Sequence, residues 1–465
     1  MTSSIIWIFF PALSAIILWF IPSRKLTIFL GMGITTSLAL LAWLLPIDLV
    51  LNISGFTLKI SSTMSILGRQ LVLDTSNQPL MIYLYLSLSL WYICVYLTNA
   101  YYRLISYGLM IMALMISALV VKPFLYASLL IQIAILVSIP LLRNSSVSTG
   151  RGITRFLVFE TLALPFILFS GWLLTGISAS PENISFTFQA STLLGLGFVF
   201  LLNIFPFNNW IPLLAEEVHP LSSAFIFWIF PTVGLLFGCF FLDSYAWLRD
   251  SSQLSSILLY GGLVMVLFGG IWAAFQKNLN RMFAYAMIME IGYSLIALNL
   301  RGNLGMQPFF AFLIPRTITI FLWTSAVSII TKDIPSANFS DIKSFASKYP
   351  YASIAVIISQ LSFVGLPLLA GFPNLIILWG QVSLDSLTIS LLMLTGTVGL
   401  AMGAIRTMAV LLVDYQQNSL QANESPFQKG FLLIGIFSLI LLGLFPKIVN
   451  PLISNLPLMF SHLGR

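Results

Sequence analysis

Four side chains in this sequence carry charge where their neighbours are almost wholly apolar: Glu160, Glu290, Arg316 and Arg406. A charge at the centre of a bilayer costs about 2.5–3.5 kcal/mol even on lenient insertion scales, so each is a functional candidate by default. A carboxyl in that setting can take up and release a proton. An arginine stays protonated, so it can only hold a counter-charge or shape the local field. Glu290 lies roughly 13 Å along a helix from Arg281, deep enough to be the best proton-binding candidate in the chain. Arg316, directly after Pro315, is its natural counter-charge, and Arg406 reads the same way as Arg316. Glu160 follows Arg155 closely and has two readings: a helix-end partner of Arg155 or Arg151, or a proton-binding group. The polar stretch 207–220 adds Glu216, Glu217 and His219. These read as a solvated or subunit-contact face rather than a proton entry port, and one histidine beside two glutamates is a poor metal site.

The elements that would position these groups are membrane helices. The chain is 59% hydrophobic and 8% charged, with a mean hydropathy of +1.00, whereas soluble domains carry roughly 25% charged residues. Apolar runs near the length of about 20 residues needed to cross a bilayer recur at 5–21, 26–45, 79–98, 104–120, 123–142, 156–176, 192–206, 221–242, 254–275, 282–299, 308–330, 352–380, 386–412 and 430–446. We expect an all-α polytopic membrane protein of about fourteen spans. No lysine lies within any of these runs. The short run 192–206 and the Pro/Gly-interrupted run 352–380 predict two broken helices, whose exposed backbone must line a cavity or be buried in protein. The alternation of polar and apolar residues over 51–75 predicts a small β-hairpin on the outer face.

Loop charge gives orientation. Twelve Lys and Arg residues fall in odd-numbered loops and seven in even loops and the tail, which places both termini outside. Met1, Thr2, Ser3 and Ser4 lack the basic start of a secretory signal, so the first run reads as a retained span. Cys94 and Cys239 lie in apolar runs and read as packing, and the eleven Trp and fifteen Tyr as interface anchors or packing. The net charge of +7 is spread singly between spans, unlike a nucleic-acid surface. No Gly-rich phosphate loop or CxxC points to a nucleotide, haem or iron–sulfur cofactor, and none is expected.

The stretch 269–298 resembles the signature of the antiporter-like membrane subunits of respiratory complex I and of Mrp cation/proton antiporters. Gln276, Asn278, Leu279, Arg281, Tyr285 and Gly292 match it, while Asn280 replaces its lysine and Glu290 its histidine. Two more stretches resemble the family in order and spacing: Pro206, Phe207, Trp210 and Pro212 with Pro220, and Gly365, Pro367, Gly371 and Phe372. Arg406 falls where the NuoN-type subunit has an arginine. The resemblance covers roughly 75–450 and implies fourteen helices with two inverted five-helix repeats, 104–242 and 254–412. Helices 1–3 (1–103) would precede them and a C-terminal helix and tail (430–465) follow.

The departures decide the function. Positions that resemble the family's lysines of the proton path hold Leu201 and Pro231 or Thr232, and the position of its lysine or glutamate after Gly-Phe holds Leu375. The acid of the fifth helix would fall near Ala134 or Ile135, with Gln132 the nearest polar group. The resemblance implies a membrane-arm subunit of an NADH:quinone oxidoreductase-type respiratory complex in a bacterial inner membrane. It would partner other membrane subunits, would not be catalytic alone, and would have proton transport reduced or lost. The alternative is an Mrp-like antiporter subunit, which is disfavoured because exchange needs several buried acids or lysines.

Overall fold

The computed structural model describes residues 2–48, 50–53, 56–66, 68–142, 150–179, 184–300, 303–334, 336–413 and 422–463. Arg143, Arg301 and Arg465, which enter the loop-charge count, lie outside the described residues, as does Ser54 of the expected hairpin.

A π-helical turn, Ile5–Phe9, leads into α1 (Phe10–Phe20), followed by α2 (Arg24–Leu44), α3 (Gln78–Thr98), α4 (Leu104–Val120), α5 (Ala127–Leu142) and α6 (Arg151–Ala179). Next come α7 (Ile184–Leu201), α8 (Trp210–Glu217), α9 (Pro220–Ser244), α10 (Ala246–Arg249), α11 (Ser252–Phe275) and α12 (Leu279–Asn299). The rest are α13 (Asn303–Ile330), α14 (Pro350–Val364), α15 (Phe372–Asp385), α16 (Leu387–Leu412), α17 (Pro426–Leu444) and α18 (Asn450–Ile453). Proline stands in the first turn of α1, α3, α9, α14, α15 and α17, where its missing N–H costs nothing. Among the described residues ten helices are long and apolar enough to cross a membrane, and four more apolar helices are shorter. Two of the short ones, α7 and α14, are short because they break.

Both breaks use the same stop. After α7, Asn203 has φ +54°, its N–H bonds to Phe200 O at 3.2 Å, and Ile204 N–H reaches back to Val199 O at 3.0 Å. After α14, Gly365 has φ +74°, its N–H bonds to Ser362 O at 3.1 Å, and Leu366 N–H reaches Leu361 O at 3.0 Å. These are paired Schellman closures, in which a left-handed residue turns the last carbonyls back on the chain. Glycine meets that φ without strain; asparagine is the side chain that tolerates it best. The chain then resumes as α8 and α15.

The region expected to form one hairpin builds two antiparallel pairs instead. β1 (Val50–Ile53) pairs with β2 (Phe56–Lys59), and β3 (Thr63–Ile66) pairs with β4 (Arg69–Val72). The turn after α4 adds β5 (Val121–Lys122) to the edge of β4. Gly68 adopts φ +74° between β3 and β4, a conformation glycine meets without strain.

The centre of the bundle is α9, α12 and α13, whose most apolar stretches are 83%, 89% and 89% buried, against 17% for α17. Between helices in lipid there is no hydrophobic drive, so close packing of small residues matters most. A Cβ built on Gly270 of α11 would lie 1.9 Å from the Gly396 carbonyl oxygen of α16, which is backbone-to-backbone contact. At the end of α9, the Asp243 carboxylate accepts N–H bonds from Ser461 (3.1 Å), His462 (2.6 Å) and Leu463 (3.0 Å), tying the segment after α18 to the bundle.

Candidate functional site

Glu160 and Glu290, two of the four acids buried among the described residues, stand on different helices, and each meets a different partner. Glu160 on α6 is 1% exposed. Its Oε1 accepts a hydrogen bond from Asn203 Nδ2 at 3.0 Å, and Asn203 Oδ1 accepts from Trp210 Nε1 at 2.5 Å. Its Oε2 is buried with no hydrogen-bond partner. The residue that stops α7 is thus the same residue that holds the acid, and Trp210 of α8 braces it from across the break. No ion pair with Arg155 or Arg151 forms among the described residues, and both arginines are exposed. Helical phase explains this. At 100° per residue, Arg155 and Arg151 lie roughly 140° and 180° around α6 from Glu160. Gln132 of α5 bonds the neighbouring Thr161 at 2.9 Å, while Ala134 and Ile135 are buried and apolar.

Glu290 on α12 and Arg316 on α13 are 4% and 3% exposed. Their charges act on each other, but no direct ion pair joins them. Nε and both terminal nitrogens of Arg316 are buried without a protein hydrogen-bond acceptor. One residue on, Thr317 Oγ1 shares a 2.7 Å hydrogen bond with Tyr83 Oη, and Trp228 Nε1 donates to both oxygens at 3.2 Å. Tyr83 and Trp228 therefore belong to a buried polar knot joining α3, α9 and α13, not to the lipid interface. Their depth within apolar runs was the available signal, since a buried Tyr or Trp normally finds a partner for its polar atom. Between α14 and α16, Gln360 donates to Thr407 Oγ1 at 3.2 Å.

Arg406 behaves differently from Arg316. It is partly exposed, donates to the Ala274 carbonyl in the last turn of α11, and lies 5.6 Å from the centre of the Phe339 ring. It closes a helix end rather than facing an acid. At the positions expected to carry proton-path charges, Leu201 (3% exposed) and Leu375 (1%) fill apolar core. Pro231 is buried in α9, and Thr232 bonds back to Trp228 O at 2.6 Å, a packing role. Asn280 sits in the first turn of α12, half-buried, its N–H accepted by Asn278 Oδ1 at 2.9 Å.

The polar stretch around α8 is a set of helix-end contacts. Glu216 pairs with Arg281 at 3.3 Å, and Glu217 Oε2 accepts the Gly152 N–H at the start of α6 at 2.8 Å. Glu424, which the sequence reading passed over, does the same for α14, accepting N–H from Tyr351 (2.9 Å) and Ala352 (3.2 Å). A carboxylate at a helix N-terminus meets free N–H groups and the positive end of the dipole. No cluster of metal-ligating side chains occurs among the described residues.

His219 caps α9, its Nδ1 accepting the Leu221 N–H at 3.3 Å, and burial pulls its pKa down to about 4 from the ordinary 6.5. Only the neutral ring can accept that bond, so the folded state disfavours protonation. The resulting stability is full above pH 6.5 and is lost as pH falls toward 4, on the order of 3 kcal/mol in all. In detergent, the melting temperature should therefore drop steeply between pH 7 and pH 4.5. His219→Asn, which caps without titrating in this range, should flatten that slope; an unchanged slope would remove His219 as its source.

Comparison with known proteins places this geometry. Residues 164–401 match the family model described as NADH:quinone oxidoreductase/Mrp antiporter, transmembrane. The chain is 24% identical over 314 residues to NADH-quinone oxidoreductase subunit N of Pelagibacter ubique, covering 65% of this chain and 66% of that relative. It is 27% identical over 278 residues to subunit N 1 of Solibacter usitatus, covering 57% and 55%. These alignments span about half to two thirds of the relatives' own lengths. Solved structures match further along the chain. A chain of the archaeal membrane-bound sulfane sulfur reductase superposes with a TM-score of 0.81 at 16% identity, covering 97% of this chain and 96% of that one. A chain of the Mrp complex from Dietzia sp. gives 0.80 at 14% identity, with 98% and 97% covered. One from respiratory complex I of Thermus thermophilus with bound NADH gives 0.73 at 17%, with both chains covered fully. At such identities the likeness speaks for the fold, and the matched model covers just over half of the sequence. The chain is an integral membrane protein of the NADH:quinone oxidoreductase/Mrp antiporter transmembrane family.

Proposed function

We propose that this chain is a membrane-arm subunit of a complex I-like assembly, holding neighbouring subunits together and passing conformational or electrostatic strain between them. The observation that supports this reading is an antiporter-like fold along the whole of this chain whose positions for the proton-path lysine and the lysine or glutamate are filled by buried Leu201 and Leu375. Proton movement, where it persists, runs through Glu290. The redox chemistry belongs to partner subunits, and the chain alone does not oxidise NADH. We take all fourteen apolar runs to span a bacterial inner membrane, with both termini and the strand pairs β1–β4 outside. The repeats are 104–242 and 254–412; each holds one of the two breaks in its fourth span, as inverted halves would. The segments 1–103 and 430–465 flank them. An Mrp-like antiporter subunit is the second reading, favoured by the fold likeness to the Dietzia chain.

Two measurements separate the readings. Affinity capture in mild detergent should recover a large assembly containing iron–sulfur and quinone-reducing subunits. Recovery with small antiporter subunits would favour the second reading. The purified chain in liposomes should give little uncoupler-sensitive H⁺ or Na⁺ flux. Robust flux that survives Glu290→Gln would overturn the proposal.

A further inference from the structure

A cavity of about 420 Å³ lies between α13, α15, α17 and the turn that follows α17, away from Glu160 and Glu290. Among its described lining residues Lys447 is the one charged side chain, and no carboxylate faces it. Lys447 is exposed and makes no ion pair among the described residues. Gln381, Asn374 and Asn450 add amides to the wall. Asn374, 8% exposed, is fixed by donating to Ala311 O at 2.8 Å, and Gln381 Oε1 is buried without a donor. The start of α15 also borders the space, with no acid in its first turn, so the positive end of that helix is uncompensated. The cavity therefore attracts an anion and offers acceptors to a hydroxyl donor.

Its flank is apolar and faces outward. Ile377 lines the cavity and is 50% exposed, and Phe445 and Ile448, either side of Lys447, are 60% and 55% exposed. A polar wall that passes into an exposed apolar one over the length of a single lysine suits an amphiphile, not a free ion.

We propose that this cavity binds the headgroup of an anionic phospholipid, with Lys447 at the phosphodiester, the amides at the glycerol hydroxyls, and the acyl chains along Ile377 and Ile448. The test is native mass spectrometry of the full chain in detergent, titrated with dioleoyl phosphatidylglycerol or phosphatidylcholine. Wild type should retain the phosphatidylglycerol selectively. Lys447→Gln and Lys447→Glu should weaken retention by about tenfold or more, the loss of one charge-assisted bond. Lys25→Gln, which removes an exposed charge elsewhere, should not. Millimolar inorganic phosphate should fail to displace the lipid. Equal retention of the two lipids, unchanged retention in Lys447→Glu, an equal loss in Lys25→Gln, or displacement by phosphate would each overturn the proposal.

Discussion

Glu290→Gln should destabilise the protein by about 3 kcal/mol, and adding Arg316→Met should restore most of that loss. The guanidinium of Arg316 is 3% exposed, and none of its nitrogens has a protein acceptor. The charge on Glu290 is the carboxylate acting on it. Neutralising Glu290 leaves a buried cation that cannot shed its proton, while removing Arg316 leaves an acid that can take one up. The two single changes are therefore unequal: Arg316→Met alone should cost less than Glu290→Gln alone. Chemical denaturation of the four proteins of the cycle in one detergent measures this directly. Additive losses, or a neutral Glu290→Gln, would show that Arg316 is balanced elsewhere.

Gly270→Leu should cost more than about 4 kcal/mol, enough to abolish folded, monodisperse protein. Added atoms at Gly270 would stand 1.9, 2.4 and 2.6 Å from the O, C and Cα of Gly396, and a Cβ on Gly399 would stand 2.5 Å from the oxygen of Gly270. Every obstacle is backbone, so no rotamer change relieves it, and α11 and α16 must separate along their shared length. Gly195→Leu is the control, because nothing lies within 4 Å of a Cβ there. Size-exclusion profiles and melting temperatures of the two variants should diverge completely. A Gly270→Leu protein melting within about 3 °C of wild type would mean the helices are not locked at this contact.

The sequence made some of this legible and hid the rest for identifiable reasons. Composition and run length indicate a helical membrane protein; the shortness of run 192–206 marks the first break and Pro/Gly interruption of 352–380 the second, because each helix stop depends on local residues. Depth singles out Glu290 and Arg316 because few charges survive in apolar runs. The partner of Glu160 was hidden: sequence proximity suggests Arg155, but rotation around α6 carries the two apart, and Asn203 arrives from another helix 43 residues later. Arg406 looked like a buried charge because its run is apolar, yet its length lets it reach the end of α11. Glu424 and Glu217 lay in polar loops that revealed nothing about which helix start they would meet. The strand pairs were misjudged in number because alternation shows a strand but not where it turns.

The burial of α12 and α13 also bears on how the chain enters the bilayer. Each carries one deeply buried charge, Glu290 on α12 and Arg316 on α13, of opposite sign, and the helices are consecutive, so they can leave the insertion machinery as a single hairpin. Released singly, either helix would present an uncompensated charge to lipid tails. Released together, the two opposite charges offset each other at a distance while the surrounding helices close around them.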